Sequence, residues 1–252
     1  MRFSACIEWL FAAEAPDVAD RIRLARDAGL DAVEFWRHSN KDLAAVRAAL
    51  AETRLPLAGI LCEPIAPLGN SDAHPGFLEG VRRSLSAARQ LGAGMLIAQA
   101  GDDQAGISRP AQHAAIVRVL REAAGLLEGT GVVLALEPLN DRVDHPGYYL
   151  TSTVEGLDIV DEVGRPEIRL IYDIYHSAVM GEATDEVLAG RVDRLAHVHL
   201  ADAPGRGAPG SGGMDYAERL AWLAKAGYAG LVGLEYRPGG PTLPTLGFRE
   251  RL

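Results

Sequence analysis

Two hydrophobic periods alternate along this chain. Short runs rich in Val, Ile and Leu are separated by longer stretches in which apolar residues recur at i, i+3, i+4 and i+7. The short runs are FSACIEWL (3–10), DAVEFW (31–36), LAGILC (57–62), GMLIAQA (94–100), VVLALEP (132–138), IRLIYDIYH (168–176), LAHVHLAD (195–202) and LVGLEYRP (231–238). They predict strands, and their nearly continuous apolar character predicts burial on both faces, as in a parallel sheet. The longer stretches include DVADRIRLARDAGL, FLEGVRRSLSAARQLG, AQHAAIVRVLREAAGLLEG and YAERLAWLAKAGY. They predict amphipathic helices, several ended by a Gly. Eight strand-helix units in strict alternation predict an α/β fold, a single (β/α)8 TIM barrel spanning residues 1–252. An open doubly wound sheet would need a Gly-rich nucleotide fingerprint after its first strand, and none follows CIEWLF.

In such a barrel the C-terminal ends of the strands converge on one mouth, where the loops build the active site. The ends of strands five to eight carry Glu137, Asp173, His199 and Glu235. A carboxylate closing a strand is more often a helix cap or a solvated rim charge. Four such groups in register weaken that reading, because three carboxylates and an imidazole in a low-dielectric mouth repel one another unless a cation offsets them. Oxygen-rich ligation with one nitrogen suits one divalent ion, Mg²⁺ or Mn²⁺ with Co²⁺ as a third candidate, better than a structural zinc site, which favours Cys. His197 shares a face with His199 by strand alternation and is assigned to the shell behind it. His38, His74, His113 and His145 have no partner spacing and are expected at the surface. GRGAPGSGG lacks the Lys-Ser/Thr of a phosphate loop and reads as a lid or plain loop. Trp9, Phe11 and Trp36, near the ends of strands one and two, either wall a pocket or pack in the core.

Composition narrows the function classes further. At 252 residues and 48% hydrophobic residues the chain can bury a large core. Its net charge of -9, without a dense Lys/Arg run, opposes nucleic-acid binding. The N-terminal stretch, interrupted by Glu8 and Glu14, does not read as a secretory signal, and no segment has the length of a membrane span. Cys6 and Cys62, both inside apolar strands, are expected as buried free thiols. A cytoplasmic location is therefore expected.

At LEPLN, YDIYH, HVHLADAPGR and GLEYRP the chain resembles the xylose-isomerase-like barrel superfamily, and within it the hydroxypyruvate isomerase family. PGYYLTST, GLDIVDEVG and YDIYHSAVMGE strengthen the likeness. The resemblance implies a metal-dependent enzyme that isomerises small hydroxy-carbonyl compounds, here hydroxypyruvate and tartronate semialdehyde or a related oxo-hydroxy acid. It implies metal ligands at Glu137, Asp173, His199 and Glu235, with the two glutamates as acid and base. It also implies His176 and Arg206 as holders of substrate oxygens. Relatives commonly associate, so a homo-oligomer is an expectation. Three departures bear on the substrate: isomerases of this family usually carry Gln where His199 stands, whereas related ketose 3-epimerases carry His. Gly213 replaces a family Glu, and EPLNDRVDHPG is one residue longer than the usual form. Ketose 3-epimerisation is therefore the alternative. A non-catalytic sugar-binding barrel and a metal-dependent endonuclease are the readings from other classes.

Overall fold

The computed structural model describes residues 1–252, the side chain of Arg251 excepted. Its strands are β1 (Arg2–Cys6), β2 (Ala32–Phe35), β3 (Leu57–Leu61), β4 (Met95–Gln99), β5 (Val133–Glu137), β6 (Ile168–Asp173), β7 (Leu195–Leu200) and β8 (Leu231–Leu234). All pair in parallel, in chain order, and β8 returns to β1 to close the barrel. Helices α1 (Val18–Asp27), α2 (Leu43–Thr53), α3 (His74–Leu91), α4 (Arg109–Leu127) and α5 (Thr153–Val163) follow the first five strands. The α6 (Ile174–Met180) and α7 (Thr184–Leu188) segments follow β6, and α8 (Tyr216–Lys225) follows β7.

Local chemistry sets these boundaries. Asp17, Asp42, Ser152 and Asp215 accept backbone N–H groups at the starts of α1, α2, α5 and α8, satisfying donors that a first helical turn leaves free. Gly92 and Gly164 end α3 and α5 in the left-handed conformation.

The elements depart from the expected pattern at two places. After β8, the Pro- and Gly-rich stretch supports only a 3-10 segment, Leu243–Arg251, whose Phe248 packs edge-on to Phe3 with ring centroids 5.7 Å apart. After β6, the run IRLIYDIYH divides at Asp173, whose Oδ1 accepts the His176 N–H at 3.0 Å and starts α6.

The main apolar core lies between the strands and the helix ring. A smaller cluster of Leu61, Met95, Ile97, Ala135 and Ile171 fills one part of the barrel interior. The facing part is polar: Ser4, Glu34, His197 and His199 are all buried there. One side of the interior therefore anchors the strands while the other carries ionisable groups. Cys6 and Cys62 are buried free thiols, as expected.

Candidate active site

Register brings the four strand-end groups together. Asp173 pairs with His199 across β6 and β7, and His199 pairs with Gly233, two residues before Glu235. Glu137, Asp173, His199 and Glu235 each offer a ligand atom, and these atoms all lie within 4.8 Å of one another. All four residues are buried. His199 Nδ1 lies 2.7 Å from Glu137 Oε1 and 3.9 Å from Glu235 Oε2. Trp36 Nε1 donates to Glu235 Oε1 at 2.7 Å, and Arg206 Nη2 donates to Glu235 Oε2. The same Arg206 nitrogen is 3.8 Å from Asp173 Oδ2. Asp173 thus serves both readings of a strand-end carboxylate: one oxygen caps α6 and the other faces the cluster.

Burial and mutual repulsion perturb these groups in opposite directions. Burial pushes the Glu137 carboxyl up to about 7, with Glu235 and Asp173 adding to the rise against the pull of His199. Burial opposes a charge on His199, but Glu235, Glu137 and Glu34 outweigh it and raise its pKa well above the usual value. Burial would also raise Asp173, yet His176, Arg206 and His199 hold it below the usual range. The Arg206 guanidinium stays charged because Glu235, Asp173 and Glu137 more than offset its burial. Cys6, beside Glu235, is pushed up by burial and by the carboxylates, so it stands as a neutral thiol rather than a nucleophile.

This donor set fits a divalent ion. Three carboxylates and one imidazole nitrogen in a buried site compensate poorly without one, and oxygen-rich sets of this kind suit hard or borderline cations.

Above the cluster opens a cavity of about 290 Å³, bordered by Trp9, Trp36, Ile97, Glu137, Arg206 and Glu235. That volume is at the small end of ligand pockets, roughly 300–1,000 Å³. The Arg206 guanidinium stacks between Trp9 and Tyr175, 4.9 and 5.3 Å from their ring centres. His176 Nδ1 accepts from the Asn140 backbone N–H at 3.0 Å and lies 2.6 Å from Asn140 Nδ2. The proton of the neutral ring therefore sits on Nε2, and burial lowers the ring's pKa to about 4, with Arg206 adding to that effect. His176 Nε2 and Arg206 Nε are buried and have no hydrogen-bond partner among the described residues.

A family model described as the xylose isomerase-like TIM barrel matches residues 22–250. The chain is 33% identical over 264 residues to a putative hydroxypyruvate isomerase of Mus musculus, covering 98% of this chain and 93% of that protein. The chain belongs to the hydroxypyruvate isomerase family of xylose isomerase-like barrels. It is likewise 31% identical to the hydroxypyruvate isomerase of Escherichia coli K12, over 94% of each protein. Among solved structures it is similar to an AP endonuclease, family 2, of Brucella melitensis, with a TM-score of 0.91 and 28% identity over 99% of this chain and 98% of that one.

The structure brings Glu137, Asp173, His199 and Glu235 together, with Arg206 and His176 beside them, but several neighbours lie elsewhere than their spacing suggested. His74 is buried, with Nε2 2.9 Å from the Leu68 carbonyl oxygen, and His145 borders the cavity, so neither is the surface residue that spacing suggested. Trp9 and Trp36 wall the cavity, whereas Phe11 belongs to the core. The GRGAPGSGG loop is tied down rather than free, since Asp202 accepts from the Gly210 and Met214 N–H groups at 2.7 and 3.1 Å. Glu34 goes unnoticed in the sequence, although DAVEFW shows the same signal as LALEP: a carboxylate inside an apolar strand.

Proposed function

We propose that this protein is a divalent-metal-dependent isomerase of a small 2-oxo-3-hydroxy acid, interconverting hydroxypyruvate and tartronate semialdehyde. The reaction moves a proton from C3 to C2 while a hydroxyl proton passes from the C3 oxygen to the C2 oxygen. The observation that carries this reading is the pair of glutamates at the cavity floor, one of them, Glu137, with its pKa lifted to about 7, where an acid/base group works best.

A bound divalent ion at Glu137, Asp173, His199 and Glu235 supplies Lewis-acid stabilisation of the negative charge that develops on the substrate oxygens. On this reading one glutamate removes the C–H proton, and its counterpart returns a proton to the neighbouring carbon. Trp36 and Arg206 hold Glu235 in a single orientation from both of its oxygens. The unpaired Nε2–H of His176 and Nε–H of Arg206 are buried donors available to substrate oxygens, Arg206 serving the carboxylate. The names of the mouse and Escherichia coli relatives support the oxo-acid class. The name of the Brucella structure points to DNA instead. A net charge of -9 and a cavity of about 290 Å³ with a carboxylate floor suit a small polar anion better than a duplex.

Proton exchange tests this directly. In D₂O with Mg²⁺ or Mn²⁺, the protein should label hydroxypyruvate at carbon, followed by NMR. Labelling of neutral ketoses such as fructose, with none of hydroxypyruvate, would move the assignment to a 3-epimerase.

A further inference from the structure

Behind the cluster lies a second group of buried ionisable side chains that the proposed reaction does not use. Glu34 on β2 sits between the two histidines of β7. Its Oε2 is 2.9 Å from His197 Nε2 and accepts from Ser4 Oγ at 2.9 Å, while its Oε1 is 3.2 Å from His199 Nε2. The two imidazole rings meet edge to face, with centroids 4.9 Å apart at 88°. Gly233 makes this packing possible: a Cβ there would stand 2.4 Å from Glu34 Oε1 and 2.5 Å from His197 Nε2.

We infer that Glu34 and His197 are positioning residues that fix the ring angle and tautomer of His199, presenting its Nδ1 to the acidic cluster. A neutral imidazole carries one proton, and a nitrogen that ligates a cation must not hold it. His199 Nδ1 points toward Glu137 and Glu235, so the proton belongs on Nε2, which faces Glu34 Oε1 at 3.2 Å. The carboxylate approaches both ring nitrogens off the N–H axis rather than in line, so it acts on them chiefly as a buried charge. His197 in turn packs edge to face with the His199 ring, and its Nε2 lies 2.9 Å from the other oxygen of Glu34. Partners of this kind behind a ligand typically change metal affinity by roughly 10- to 100-fold.

This inference rests on the divalent-ion reading of the cluster, and its test separates the two. Mn²⁺ titration of the chelator-treated full chain by calorimetry gives affinity and stoichiometry. Imidazole ¹⁵N spectra of the Mg²⁺-loaded protein report the His199 tautomer. Wild type should bind one Mn²⁺ with Nε2 protonated. Glu34→Gln should bind it roughly 10- to 100-fold more weakly and shift the tautomer signal. His197→Gln, which keeps the carboxylate, should move affinity the same way by less and guards against a Glu34 variant that fails to fold. Unchanged affinity and tautomer in folded Glu34→Gln would overturn the inference. Two Mn²⁺ per wild-type chain, one of them lost in His197→Gln, would overturn it too and assign Glu34, His197 and His199 to a second ion. No Mn²⁺ in the wild type would bring down the functional reading itself.

Discussion

Metal capture by this site should expel protons, and the expected number follows from the geometry. His199 Nδ1 and Glu137 Oε1 approach to 2.7 Å, a contact that in the metal-free protein requires a proton between them. Glu137 titrates near 7 through burial, and His199 titrates well above its usual value because Glu235, Glu137 and Glu34 outweigh its burial. At pH 7 the metal-free pair therefore shares at least one proton. An ion taking both ligands displaces at least that proton, so apparent affinity should rise by about tenfold or more per pH unit near pH 7. The assay is Mn²⁺ titration at pH 6, 7 and 8 in buffers of different ionisation enthalpy, which counts the protons directly. The same linkage acts on folding. Both folded-state values are raised, so the stability these groups contribute is present at low pH and lost as pH rises, from about 4.5 through about 7 for Glu137. Metal-free protein should then melt at a lower temperature at pH 8 than at pH 6, and bound metal should remove most of that difference. Asp173 and Glu34 are shifted down, so their contribution fails only in acid, outside this window. An affinity independent of pH between 6 and 8 would refute the reasoning.

Other outcomes follow from single side chains. Glu137→Gln and Glu235→Gln should each lower kcat by roughly 10² to 10⁴ with the barrel still folded, measured with metal saturating; wild-type turnover in either would remove that glutamate from the acid/base pair. His199→Gln should keep the protein active but move its preference from Mn²⁺ or Co²⁺ toward Mg²⁺, because an amide oxygen is the harder ligand. His197→Gln should leave that order of preference unchanged; a change of preference in His197→Gln but not in His199→Gln, measured as activity against each ion, would refute His199 as the ligand. Gly233→Ala forces a methyl within 2.4 Å of Glu34 Oε1. It should cost about 1–3 kcal/mol by overpacking, read as a lower melting temperature, and a neutral result would mean that the cluster has room to relax.

Much of this protein is legible in its residue pattern, for identifiable reasons. A barrel strand buried on both faces must be apolar along its length, so eight apolar runs at even spacing suffice to name the fold. The same rule exposes the site, because a carboxylate or imidazole at the end of such a run stands out against it, as Glu137, Asp173, His199 and Glu235 do. Tertiary structure decided what depends on distance across the barrel. Chain order says nothing of the contact between Trp36 and Glu235, 199 residues apart, or of Arg206 reaching back over Trp9. His145 and His74 look alike in sequence, yet one borders the cavity and the other is buried as the first residue of α3. Closure of β8 onto β1 brings Gly233 beside Glu34, while the β7–β8 register sets it against His197 and His199. Periodicity records which face of an element is buried; which buried polar group meets which other is set by barrel closure and strand register, and these are properties of the assembled sheet rather than of any local stretch of chain.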